Sequence, residues 1–127
     1  MTHATDKDLI WVGSSLKDLR GFPNDVKGSM GYALRLAQKG GKPPNAKPLK
    51  GFGGAGVLEV VEDHASDAYR TVYTVTLGST VYVLHAFQKK SKHGIATPKR
   101  DLDLIRQRLN EAHAIHDQRQ ASSGEQS

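Results

Sequence analysis

The stretch Tyr69–Phe87 reads YRTVYTVTL, then Gly78-Ser79, then TVYVLHAF. Two runs rich in β-branched and aromatic residues, joined by two turn residues, predict an antiparallel hairpin. Just upstream, Val57–Val61 is a third apolar run, and the polar link Glu62–Ala68 suits a second hairpin turn. Near the start, Asp8–Val12 (DLIWV) predicts a first strand. Ser15-Leu16-Lys17-Asp18 has the Ser-x-x-acid form of a helix start, with Ser15 as the capping residue. Beyond Pro23, residues Val26, Met30, Ala33, Leu34 and Ala37 fall on one helical face. Gly21 and Pro23 interrupt that segment, so residues 15–39 read as a helical hairpin or a bent helix. Gly40-Gly41 ends it, and Pro43, Pro44 and Pro48 predict an extended loop.

Downstream of the hairpin, Thr97-Pro98 announces a helix, with Thr97 as cap and Pro98 in the first position. Leu102, Ile105, Leu109 and Ala112 supply its apolar stripe. From Asp117 the periodicity stops, so residues 117–127 are expected to be a disordered tail. The reading is a single α+β domain over residues 1–116. It has a small antiparallel sheet, with an N-terminal helical hairpin and a C-terminal helix packed on one face.

The 127 residues include 18 Lys+Arg, 13 Asp+Glu and no cysteine, so the formal net charge is +5. Without cysteine there is no disulfide, iron–sulfur cluster or thiolate zinc site. No apolar run approaches the roughly 20 residues that span a bilayer, and MTHATDKD has no signal-peptide core. A cytoplasmic protein with no membrane association is expected. The charge is segregated. Residues 1–50 hold nine basic and four acidic side chains, residues 51–88 one and four, and residues 89–100 five and none. Basic blocks of this kind are the footprint of a polyanion partner or of a solvated surface.

Gly51-Phe52-Gly53-Gly54-Ala55-Gly56 matches G-x-G-x-x-G literally, but a proline-rich loop precedes it and a strand follows. Dinucleotide binding needs the opposite context, so these glycines are read as a loop leading into the strand. His113 and His116 share a helix face without a third ligand, so neither a metal nor another cofactor is expected. His85 lies within the last strand and is placed by alternation on the face of Val83 and Phe87.

Arg70 is the informative residue. It is the only base between Gly51 and Gln88, in a strand otherwise of apolar, aromatic and Thr residues. Such an arginine needs an anion, a hydrogen-bonding partner or an edge. Hairpin pairing brings its strand start to the partner's end, where Lys89 and Lys90 lie, with Lys92 and His93 beyond. The expected result is a cationic pocket suited to phosphate. An ion pair of Arg70 with Glu59 or Glu62 is compatible with that pocket.

The ordered set Leu49-Lys50-Gly51-Phe52, Tyr69-Arg70-x-x-Tyr73, Leu84–Lys92 (LHAFQKKSK) and Thr97-Pro98 resembles the RelE/ParE toxin superfamily. The resemblance spans about residues 7–113 and lies in the phage-derived Gp49-like, HigB-type branch. It implies a RelE-like fold and the toxin of a type II toxin–antitoxin system. The implied activity is a ribosome-dependent, metal-independent mRNA endoribonuclease, in which the 2′-OH attacks the adjacent phosphorus. The implied catalytic residues are Arg70 at the scissile phosphate and Lys90 at the leaving oxygen, with His85 as an acid–base candidate. Lys89, Lys92 and His93 are implied at flanking phosphates or ribosomal RNA, and Lys50, Lys39 and Lys42 in ribosome docking. The implied partners are a helix-turn-helix antitoxin, the ribosome and mRNA. The chain departs from RelE-type relatives in its strand Val57–Glu62, which carries two acids and no base, and in having no Tyr after Tyr82. The general base is left among His64, His85 and Glu59. Gyrase inhibition, as in ParE-like members, and a toxin-like module that only binds its antitoxin are the competing activities.

Overall fold

The computed structural model describes residues 6–54, 56–89 and 97–125. Its elements are β1 (Asp8–Trp11), α1 (Ser15–Arg20), α2 (Asn24–Gln38), β2 (Ala46–Pro48), β3 (Val57–His64), β4 (Asp67–Leu77), β5 (Thr80–Lys89) and α3 (Lys99–Glu125). The strands form one sheet in the order β1-β5-β4-β3-β2. All neighbours are antiparallel except β1, which lies parallel to β5. This is an α+β architecture consistent with a RelE-like fold.

The β4–β5 hairpin forms across Gly78-Ser79, with Leu77 paired to Thr80 and Gly78 at a φ of 62°. The β3–β4 turn is less expected. His64 pairs with Asp67, leaving Ala65 and Ser66 at φ values of 50° and 76°. Two left-handed residues match the twist of a hairpin, but that backbone ordinarily favours Asn-Gly. Ala46–Pro48, expected as loop, is an edge strand, with Lys47 opposite Glu59. Edge placement lets Pro48 join without a backbone donor.

Helices cover both faces of the sheet, not one. On the first face Leu19 of α1 and Val26, Met30 and Leu34 of α2 pack on Val60, Tyr73, Val81 and Val83. On the second face Ile105, Leu109 and Ala112 of α3 pack on Val72, Tyr82 and Leu84, with Leu49 and Phe52 from the loop after β2. The near-continuous apolar run in β5 has this cause: alternate residues are buried on opposite sides.

Three further expectations are corrected. Ser15 lies inside α1 and donates its hydroxyl to the Val83 carbonyl at 3.1 Å, so it does not cap the helix. Ser14 takes the cap position. The last helix begins at Lys99, where Leu102 N–H donates to the Pro98 carbonyl at 3.0 Å. It runs to Glu125, where disorder was expected from Asp117. Ile115 still packs on the core, and Arg119 pairs with Asp8 of β1 at 2.8 Å. Those tertiary contacts, with helix-compatible Gln and Ala, extend the helix past its apolar stripe.

Candidate functional site

The candidate side chains gather where β3, β4 and β5 meet the first turns of α3. Strand register explains why. A cross-strand row on the α3 face runs Lys47, Glu59, Val72 and His85, each paired with the next. The adjoining row is Val61, Arg70 and Phe87. Residues two apart on a strand share a face, so Lys89 follows Phe87 onto the same side.

Arg70 is only 5% exposed, and its Nη1 donates to Glu59 Oε2 at 3.0 Å. Both side chains are buried. The two acids of β3 therefore differ in role: Glu59 neutralises Arg70, whereas Glu62 accepts from Asn45 at 3.3 Å. A buried guanidinium without a carboxylate would be expensive, which explains an acid in this strand. Lys89 is also buried. Burial pushes its ammonium pKa down, Arg70 pushes it further, and Glu59 partly restores it. Arg70, Glu59 and Lys89 thus form one electrostatic cluster.

His85 reaches this face through a β-bulge. Val72 pairs with His85 but Tyr73 pairs with Val83, so Leu84 is the extra residue on β5. The bulge puts Val83 on the opposite face, so simple alternation fails, while Phe87 remains beside His85. Their rings stack with centroids 4.7 Å apart. Nε2 of His85 lies 2.8 Å from Asp101 Oδ1 in the first turn of α3. Nδ1 lies 3.5 Å from Arg108 Nη1. Arginine only donates, so Nδ1 is the acceptor and Nε2 carries the proton given to Asp101. Burial lowers the His85 pKa more strongly than its other neighbours act; Asp101 and Asp18 raise it, and Arg108 lowers it. Both ring nitrogens are held by protein groups.

Arg108 is itself buried and joins three elements. It donates to the Leu84 carbonyl at 3.1 Å and to Ser14 Oγ at 2.9 Å, and Ser14 donates to Asp18 at 2.8 Å. Gly13, at a φ of 58°, lies so close that a Cβ there would stand 2.7 Å from Arg108 Nε. The arginine therefore holds the bulge that turns His85 toward α3.

Of the residues expected from sequence, Arg70, Lys89 and His85 share this face. Lys50 borders a hollow that also touches Glu59. Lys39 and Lys42 lie at the end of α2 and in the loop beyond it. Lys90, Lys92 and His93 lie outside the described residues. His64 ends β3, and its ring meets Tyr69 edge-on, centroids 6.4 Å apart. The sequence singled out neither Asp101 nor Arg108, and marked Lys47 only as one of the basic residues leading up to Lys50. A strand assignment for Ala46–Pro48 would have found Lys47, but three residues among prolines carry little strand signal. Among the described residues, no group of three or more His, Asp or Glu side chains is placed to hold a metal ion. No described helix is long and apolar enough to cross a membrane.

No curated protein and no solved structure gave a significant match to the chain. The profile of the phage derived protein Gp49-like family (DUF891) matches residues 17–110, which include α2, the strands β2–β5 and the part of α3 that carries Asp101 and Arg108. On that match the chain belongs to the Gp49-like family, itself part of the RelE/HigB-like toxin group.

Proposed function

We propose that this protein is the toxin of a type II toxin–antitoxin pair and cuts mRNA on the ribosome, using the α3 face around Arg70. The observation that carries the reading is the buried Arg70–Glu59 pair, 3.0 Å apart, with Lys89 as its charged neighbour. The antitoxin partner follows from the toxin family. Ribosome and mRNA as partners are supported by the cationic side chains Arg70 and Lys89 of the cluster and by the basic residues Lys39, Lys42, Lys47 and Lys50.

In the proposed reaction the 2′-oxygen bonds to the adjacent phosphorus and the P–O5′ bond breaks. Glu59 is the carboxylate beside Arg70 and takes the 2′-OH proton. Arg70 turns its planar fork to the phosphoryl oxygens as charge builds on them, the largest task such a site performs. Lys90 supplies the proton to the leaving 5′-oxygen. The lowered pKa of Lys89 suits that neighbouring lysine to the same task. The products are a 2′,3′-cyclic phosphate and a 5′-hydroxyl. His85, with both nitrogens engaged, serves by fixing the first turn of α3 against the site.

Induced expression tests the reading. Arg70→Lys keeps the charge opposite Glu59 but removes the fork. Growth arrest by the wild type, relieved by Arg70→Lys with the fold intact by circular dichroism, is the expected result. Equal arrest by both proteins would count against it. The same ion pair favours one second reading: Glu59 satisfies Arg70 so well that the chain binds its antitoxin without cleaving RNA. Tight complex formation with no cleavage on programmed ribosomes would select that reading.

A further inference from the structure

Two hollows flank the end of the sheet, and their chemistry differs. The larger, about 580 Å³, lies beside β5 against α1, with Asp18, Phe22, Tyr69 and Phe87 in its wall. His85 also lines it, but its wall holds the Asp18 carboxylate and no lysine or arginine, which suits no phosphate. The smaller, about 280 Å³, lies between β2, the residues that follow it and the start of α3. Pro48, Leu49 and Leu102 give it apolar walls, Lys47 and Lys50 stand at its rim, and buried Glu59 reaches it from β3. Register places Lys47 directly opposite Glu59.

We propose that the smaller hollow is a subsite for one ribonucleotide, the one whose 2′-OH lies at Glu59. Its size is just below the roughly 300–1,000 Å³ of small-molecule sites, room for one nucleoside and not two. Single-stranded RNA is held by apolar or aromatic contact with base faces and by cations along its backbone. Leu49 and Leu102 supply the first, Lys47 and Lys50 the second. Glu59 supplies an acceptor for the ribose hydroxyl. That acceptor distinguishes RNA from DNA, because a deoxyribose leaves the carboxylate facing a carbon. Arg70 fixes the carboxylate through Oε2, so the acceptor is positioned before the ligand arrives. The proposal deepens the RNA-cleavage reading by naming what the site holds, and it rests on that reading for the choice of RNA.

The test is an NMR titration of the full chain with adenosine 3′-monophosphate and, separately, 2′-deoxyadenosine 3′-monophosphate. Neither contains a 5′-leaving group, so neither is cleaved. The expected result is shifts centred on Leu49, Leu102 and Lys47, with the ribonucleotide binding at least fivefold tighter. Leu102→Trp, which fills the hollow, is expected to weaken binding at least tenfold. The exposed pair Lys47→Glu with Lys50→Glu is expected to do the same without disturbing the core. Shifts centred on Phe22 and Tyr69, equal affinity for the two nucleotides, or unchanged binding by the folded double variant would overturn the subsite. A chain that binds the ribonucleotide here but leaves ribosome-bound mRNA intact keeps the subsite and removes the nuclease. One that cuts mRNA but shows no shifts here does the reverse.

Discussion

The two faces of the sheet are built on different principles. The face under α2 is closed with Val60, Tyr73, Val81 and Val83 against Val26, Met30 and Leu34. The face under α3 begins the same way, with Val72, Leu84 and Ile105, and then gives way to Glu59, Arg70, His85, Lys89 and Arg108. Among the described residues, every buried charged side chain and the buried histidine belong to the α3 side. Hydrophobic burial stabilises by about 25 cal/mol per Å², whereas buried ion pairs return little net stability. A fold that needed only stability would close both faces alike. The charged end of the second face is the part that the proposed chemistry uses.

Removing one partner of the buried pair has the largest expected effect. Glu59→Ala leaves Arg70 without its carboxylate and is expected to cost about 3–5 kcal/mol in urea unfolding. The double variant Glu59→Leu with Arg70→Met makes the α3 face resemble its opposite. It is expected to return to wild-type stability or exceed it, because apolar replacement of a buried pair is often neutral or better. A double variant as unstable as Glu59→Ala would show that the ion pair itself holds this face together.

The next effect tests the bulge. Gly13→Ala adds a Cβ in a left-handed backbone and against Arg108. Left-handed backbone alone costs about 1–2 kcal/mol for a residue with a side chain. Displacing Arg108 from the Leu84 carbonyl should also alter the His85 environment, seen as a changed tautomer or pKa in nitrogen-15 spectra. Loss of stability with an unchanged His85 would uncouple Arg108 from that ring.

A smaller effect concerns pH. Burial lowers the His85 pKa from its ordinary 6.5, so the unfolded chain binds the proton more readily. Stability from neutral His85 is therefore complete above about 6.5 and is lost as pH falls toward and through the folded pKa. Wild-type stability should rise with pH across the mildly acidic range, and His85→Gln should lack that part of the rise. Identical pH profiles would place the proton elsewhere.

The smallest effect lies in the β3–β4 turn, just before Ala68, the residue that pairs with Lys89. Ser66→Gly removes a side chain from a residue at a φ of 76° and is expected to raise stability by about 0.5–1 kcal/mol by thermal unfolding.

These contrasts also separate what was legible in the chain. The β4–β5 hairpin was readable because Gly78-Ser79 joins two strongly β-forming runs. Its register then implied the approach of Arg70 to Lys89. The pairing of Arg70 with an acid of β3 was readable too, though the choice of Glu59 over Glu62 needed the register. Placement of helices on both faces was present in TVYVLHAF, a run too continuously apolar for a half-exposed strand. The Leu84 bulge was not readable. The side chain that bonds its carbonyl, Arg108, lies more than twenty residues away, and alternation alone puts His85 beside Val83. Lys47 was hidden by the brevity of β2, and Asp101 by its appearance as an ordinary acid at a helix start.

The most direct test of the charged α3 face is cleavage of mRNA on purified, programmed ribosomes, with the new ends mapped chemically. The wild-type chain should produce 2′,3′-cyclic phosphate and 5′-hydroxyl ends, and the folded Glu59→Leu, Arg70→Met variant should produce none. Equal cleavage by the two proteins, or intact mRNA with both, would contradict the assignment.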